Sequence, residues 1–226
     1  MIPASGRGYF FGLVKDPFVR AEQPKDAVPL ELTPERRFLT HTGGAQTISP
    51  KFSLGAGYVA YIHWGDGNTS TITGPVTEAI FSHAYAIAVD HEITLSGDYW
   101  HITYINFYSM AVTGDIADLP SGLDYANFSS TNVTCTSIAA HGIGYLNLKD
   151  NAYAQAQVDA IVENIYTNWA SFTDATPELI IDGTDAAPSG TYQDGDPPTT
   201  GKEYIYEIVN DPETTGNHKW TVTYNS

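Results

Sequence analysis

The sequence predicts a mainly β protein with an α/β part: a β-sandwich, then a short β/α stack, then a C-terminal β-hairpin cap. Three observations carry this. Short runs of alternating apolar and polar residues, rich in aromatic and β-branched types, fill residues 52–107 and are separated by Gly, Asn and Pro turn signals. One segment alone, near 153–170, has apolar residues at helical spacing. The last 25 residues contain two further aromatic, β-rich runs around a polar loop. The expected organisation is an N-terminal arm over 1–45, the sandwich over 46–107, the stack over 108–190 and the cap over 191–226.

In chain order, residues 1–51 carry prolines at 3, 17, 24, 29, 34 and 50. Proline removes a backbone donor and fixes φ, so long regular elements are not expected there. Two apolar pieces stand out, Tyr9-Phe10-Phe11-Gly12-Leu13-Val14 and Phe38-Leu39. Either can add to another subunit's sheet edge or cover an edge of its own sheet. Tyr9, Phe10, Phe11 and Leu13 are the candidate attachment residues.

Strands are expected over 57–64, 69–73, 79–85, 91–96 and 101–107, with Gly65-Asp66-Gly67-Asn68 turning the first pair. Further strands are expected near 145–149 and 178–183. Val158, Ile161, Val162, Ile165, Tyr166 and Trp169 mark the helix. Glu203–Val209 and Lys219–Tyr224 read as the two strands of the cap.

The net charge is −16, which argues against a nucleic-acid partner, since phosphates need a basic face. The charge is uneven: residues 1–51 sum to about +2 and the remainder to −18. No apolar run approaches the ~18 residues of a membrane span, and the chain begins without a secretory h-region. We therefore expect no membrane insertion and no export signal. The single cysteine, Cys135, permits no internal disulfide and is expected to be a small buried residue.

Two stretches resemble known families. Tyr61-Ile62-His63-Trp64-Gly65-Asp66-Gly67, followed by His83-Ala84-Tyr85 and Glu92-Ile93-Thr94-Leu95-Ser96-Gly97, resembles the PKD-like immunoglobulin-like sandwich over roughly 45–105. Trp64 here abuts Gly65 directly, without the phenylalanine that the family places between them. Leu146-x-Leu148-x-x-Asn151 is similar to the core of a leucine-rich repeat. Val112–Ile116 with Leu119 and Leu123 looks like a preceding unit, and Leu179–Gly183 like a following one. The resemblance implies that strands supply the leucines and that Asn151 hydrogen-bonds the backbone at the bend. The combination, with the Tyr-rich tail, resembles segments of bacteriophage tail-fibre and virion proteins and of bacterial surface proteins.

The residues themselves carry little chemistry. There is no nucleophile elbow, Walker loop or dinucleotide fingerprint. His63, His83 and His101 fall on expected strands and can converge on one face; their spacing is uninformative about metal binding, and strand histidines are more often packing or surface residues. Asp66 is expected to cap turn amides rather than hold calcium. Tyr99-Trp100 beside Asp98 form a candidate sugar-contact surface.

The expectation is a non-catalytic virion structural protein: a fibre, appendage or capsid decoration subunit. It would bind other virion proteins through its N-terminal arm, form homo-oligomers and contact a host-surface glycan, with no cofactor and no metal. The alternative is a bacterial cell-surface adhesin or glycan-binding module, located outside the cell.

Overall fold

A computed structural model describes residues 36–42, 46–117, 119–138, 142–172, 176–210 and 219–226. The attachment residues Tyr9, Phe10, Phe11 and Leu13 lie outside the described residues. The strands are β1 (Arg36–His41), β2 (Thr47–Ile48), β3 (Lys51–Leu54), β4 (Val59–His63), β5 (Thr69–Thr73), β6 (Val76–Ile80), β7 (His83–Ala84), β8 (His91–Gly97), β9 (Ile102–Asn106) and β10 (Val112–Asp115). After them come β11 (Tyr125–Asn127), β12 (Val133–Thr134), β13 (Tyr145–Asn147), helix α1 (Gln155–Asn168), β14 (Glu178–Ile181), helix α2 (Gly201–Asn210) and β15 (Thr221–Tyr224). The protein is thus mainly β, as the periodicity predicts.

Two large sheets hold thirteen of these strands, and β2 and β7 pair as a separate two-stranded sheet. The six-stranded sheet runs β12-β10-β1-β8-β4-β5, and the seven-stranded sheet runs β15-β14-β13-β11-β9-β3-β6. Their composition differs. β4 pairs antiparallel with β5, through a tight turn, and with β8, whereas β9, β11, β13, β14 and β15 are parallel to one another. Hydrogen bonding is continuous across residue 107, because β9 pairs with β3 on one side and β11 on the other.

β1 lies between β8 and β10. The apolar piece at Leu39 was expected to serve a sheet edge; instead it sits inside its own sheet, with Leu39 1% exposed. Arg36-Arg37 and the nearby Pro34 disguised a central strand as belonging to an arm.

The parallel region repeats itself. Ile102, Ile105, Phe107, Val112; Leu123, Ala126, Phe128, Val133; and Ile143, Leu146, Leu148, Tyr153 occupy matching positions, and all are buried. The strands that carry them are in register: Ile105, Ala126, Leu146, Leu179 and Val222 form one row. β11 and β12 were not foreseen, because Asn, Ser and Thr between the apolar positions masked the pattern.

The turns after β11, β13 and β14 carry buried polar residues, Thr131, Asn151 and Asp185, and the buried backbone groups there need internal partners. Asn151 supplies them. Its Nδ2 donates to the carbonyls of Phe128 (3.0 Å) and Leu148 (2.6 Å), and its Oδ1 accepts from the Asn132 and Thr131 amides (2.8 and 3.3 Å) and the Thr131 hydroxyl (2.9 Å). Thr131 has the equivalent role in the preceding turn, its one hydroxyl proton lying between Phe128 O at 2.6 Å and Asn151 Oδ1. Asp185 has it in the following turn, accepting from the Asn151 and Tyr153 amides at 3.0 and 2.9 Å.

α1 buries Val158, Ile161, Val162 and Ile165, the face read from the spacing. The C-terminal hairpin is a correction. Residues 201–210 are helix α2, which buries Ile205 and Ile208, and β15 pairs in parallel with β14 instead of antiparallel with a neighbour. The alternation Tyr204-x-Tyr206 imitates a strand, but Thr200 and Glu203 form a helix start. The Glu203 carboxylate accepts the Thr199 and Thr200 amides at 2.9 and 3.1 Å. These bonds to the carboxylate lower the Glu203 pKa to about 2. One hydrophobic cluster joins both sheets and both helices, from Leu39 and Trp64 to Ile208 and Trp220.

Candidate functional site: a tyrosine–asparagine ladder and the groove at its end

Side chains alternate faces along a strand. With Ile105, Ala126 and Leu146 buried, the residues on either side of each must face outward on the other surface of the sheet. Those residues are Tyr104, Tyr125, Tyr145 and Asn106, Asn127, Asn147, each set in register across β9, β11 and β13. Neighbouring strands lie about 4.8 Å apart, so the rings have to stack. Tyr104–Tyr125 centroids are 4.4 Å apart at 7°, and Tyr125–Tyr145 are 4.5 Å apart at 5°.

Each asparagine ends its strand by accepting the backbone amide two residues on. The distances are 2.9 Å from Tyr108, 3.0 Å from Ser129 and 3.1 Å from Lys149. Asn106 and Asn147 also donate to the Tyr104 and Tyr145 hydroxyls at 3.2 Å. Burial pushes the Tyr125 and Tyr145 phenols above their ordinary value, partly opposed by bonds from Asn127 and Asn147. The ladder is therefore uncharged: two rows of half-buried amides and phenols at sheet spacing.

The stack stops at β3. There the register partner of Tyr104 is Ser53, whose short side chain carries no ring to continue the stack. A groove of about 360 Å³ opens at that point, lined by Ser53, Pro75, Val76, Glu78, Tyr104 and Asp124 among others. Glu78 has φ +48° within a bulge of β6, and its amide donates to Ser53 Oγ at 2.8 Å. A bulge of this kind re-aims the side chains of an edge strand.

The residues singled out from sequence lie elsewhere. Asp98 precedes a 3₁₀ turn, Tyr99–His101, and its Oδ2 accepts the Val59 amide at 2.9 Å, so it braces the end of β4. Tyr99 and Trp100 meet edge-on at 5.4 Å; Tyr99 packs on the core and Trp100 is 36% exposed. The three histidines do not share a partner. His63 Nε2 meets Ser96 Oγ at 2.8 Å, His83 stacks on Trp64 and meets Asp66 at 2.8 Å, and His101 stacks on Tyr58 at 3.7 Å. Among the described residues no group of three or more His, Cys, Asp or Glu is placed to hold a metal ion.

Asp66 does cap its turn, accepting the Asn68 amide at 3.0 Å. Burial would raise its carboxyl, but the Asn68 amide and the His83 imidazole outweigh that and hold it below the usual range. Cys135 is buried, and burial pushes its thiol up to about 12, which leaves it unreactive as a thiolate.

Behind the Trp64 turn, Tyr85 lies stacked on His41 (4.2 Å) and on His91 (4.5 Å), and its hydroxyl donates to Trp64 O at 3.0 Å. His41 and His91 are paired across β1 and β8, and both are buried. These rings act as packing.

Sequence reasoning missed the ladder. Its signal was present: Tyr-x-Asn followed by an apolar residue recurs at 104, 125 and 145. Comparison with family models, curated proteins and solved structures finds no match to this chain.

Proposed function

We propose that this chain is a non-catalytic structural protein of a virion, serving as a fibre, appendage or capsid decoration subunit. The observation that carries the reading is the in-register scaffold itself. Two sheets share one core, and the outer surface of one is a regular array of uncharged phenols and amides. Such a surface suits contact over an area rather than turnover in a cleft. The likeness of residues 45–105 to PKD-like sandwiches, and of the parallel units to leucine-rich repeats, supports the same reading, since both are display scaffolds. Attachment would use the segment ahead of Arg36, including Tyr9, Phe10, Phe11 and Leu13, and several copies would assemble on the particle.

Mass spectrometry of purified particles tests this. The chain is expected at a copy number comparable to other structural proteins, and its absence from particles would remove the reading.

The groove beside Tyr104 favours a second reading, a cell-surface adhesin or glycan-binding module. An aromatic face beside hydroxyl and carboxylate groups is suited to sugars. A glycan array probed with the full chain would separate the two, because a purely architectural subunit leaves every glycan unbound.

A further inference from the structure

We propose that the groove at the end of the tyrosine ladder is a binding site for a single pyranose unit. The inference deepens the second reading above and rests on it. Three features of the groove converge on that ligand class. The first is the ring of Tyr104. Tyr125 covers one face of it at 4.4 Å, and on the other side the register partner is only Ser53. A pyranose presents a flat face of C–H groups that packs on such a ring, and Pro75 and Val76 extend the apolar wall.

The second feature is the polar complement. Ser53 Oγ accepts the Glu78 amide, so its own proton remains to donate. Glu78 and Asp124 contribute acceptors to the same wall, and Thr77 and Thr103 contribute donor–acceptor groups. Sugar hydroxyls each donate and accept, and such a mixed set satisfies them.

The third feature is size and shape. The groove measures about 360 Å³, at the small end of the ~300–1,000 Å³ range of small-molecule sites. Glu78 is held in the left-handed region at φ +48°, a conformation that a glutamate keeps only where its surroundings impose it. The Tyr99–Trp100 surface offers no comparable concavity: Asp98 is committed to Val59, and Tyr99 packs on the core.

The test is saturation-transfer difference NMR on the full chain with methyl glycosides of glucose, galactose, mannose and N-acetylglucosamine. n-Butylammonium serves as a counter-probe for a cation site. Saturation is expected on the ring C–H protons of at least one glycoside. It should be retained in Trp100→Ala, and binding should weaken roughly tenfold or more in Thr77→Trp, which fills the groove from its exposed rim, and in Glu78→Gln. Thermal melts of each variant confirm that it is folded.

Saturation of butylammonium without any glycoside would overturn the proposal. So would glycoside binding that survives Thr77→Trp. If that surviving binding disappears in Trp100→Ala, the glycan-binding reading stands and only this site falls. If no glycan is bound on the array or in solution, both fall.

Discussion

In the antiparallel region the chain turns back within a few residues. Between β4 and β5 it does so at Gly65–Asn68, where Asp66 bonds to Asn68 within the turn and to His83 beside it. In the parallel region each strand must be followed by a long return before the next can pair, and the turns after β11, β13 and β14 each set one polar side chain in the interior. The two regions share one core, yet they satisfy their turns differently. One relies on glycine geometry at the surface, the other on a column of buried side chains, Thr131, Asn151 and Asp185. The lesson is that in the parallel region polar residues, as well as apolar ones, are structural members of the interior.

The largest effect tests that directly. Asn151→Ala removes a side chain that donates to two carbonyls and accepts from two amides, and leaves the Phe128 and Leu148 carbonyls and the Thr131 amide buried without it. Each unsatisfied group costs about 1–3 kcal/mol, so a loss of about 4 kcal/mol is expected even with partial relaxation. Urea denaturation measures it. A loss no greater than that of Tyr85→Phe, about 1 kcal/mol for one buried hydroxyl bond, would break the comparison.

The matching test in the antiparallel region is Gly65→Ala. Gly65 has φ +79°, and a Cβ there would stand 2.5 Å from the Glu92 carbonyl oxygen and 2.7 Å from its nitrogen. Strain and backbone displacement together are expected to cost about 3 kcal/mol. Gly67, also at a positive φ of +91° but with open space around it, should lose only about 1 kcal/mol on the same change. Equal losses at the two positions would show that φ alone, and not the approach of β8, governs this turn.

These two positions also explain what was legible in the sequence. Short hairpins advertise themselves: Gly65-Asp66-Gly67-Asn68 between two aromatic, β-branched runs marks a turn by its residue types alone. α1 was equally plain, because its buried residues, Val158, Ile161, Val162 and Ile165, recur at helical spacing over about two turns. The parallel region was half legible. Leu146-x-Leu148-x-x-Asn151 stood out, but its equivalent Ala126-x-Phe128-x-x-Thr131 did not, since alanine and threonine there fill roles that carry no hydrophobic signal. α2 was misread because two tyrosines spaced by two imitate strand alternation, and the helix-starting Glu203 outweighs that only once the chain is folded. The ladder escaped notice because register is a tertiary fact. Nothing local to Tyr104 says that it will stand beside Tyr125.

A smaller effect probes the ladder. Tyr125 stacks on both neighbours, and aromatic pairs contribute about 0.5–1.5 kcal/mol each beyond area burial. Tyr125→Ala should therefore cost about 2 kcal/mol, whereas Tyr125→Phe, which keeps both stacks, should stay within about 0.5 kcal/mol of the parent. A large loss in the phenylalanine variant would mean that the hydroxyl row, rather than the rings, holds the strands in register.

The smallest expected effect separates the two regions by sign. Asp66 caps an exposed turn, and its carboxyl is held below the ordinary value of 3.8 by the Asn68 amide and His83, despite burial. Asp185 sits among the buried turns with Oδ2 unpartnered, and burial raises its carboxyl despite the Tyr153 and Asn151 amides. A group whose folded pKa is depressed adds stability above its unfolded value, and this is lost as pH falls through the folded value. A group whose folded pKa is raised does the reverse: the folded state takes up the proton first, so stability is lost as pH rises from the unfolded value through the folded one.

Urea midpoints for the parent, Asp66→Asn and Asp185→Asn across the acid range isolate each contribution, because all other carboxyls cancel in the differences. Asp66→Asn should be less stable than the parent at neutral pH, with the difference closing on acidification. Asp185→Asn keeps an oxygen for the two amides and replaces a buried charge, so it should be the more stable protein at neutral pH, with its advantage closing as the parent's Asp185 protonates. Differences that move the same way with pH in both variants would mean that the buried column and the exposed turn hold their aspartates in the same manner, and the contrast between the regions would not extend to charge.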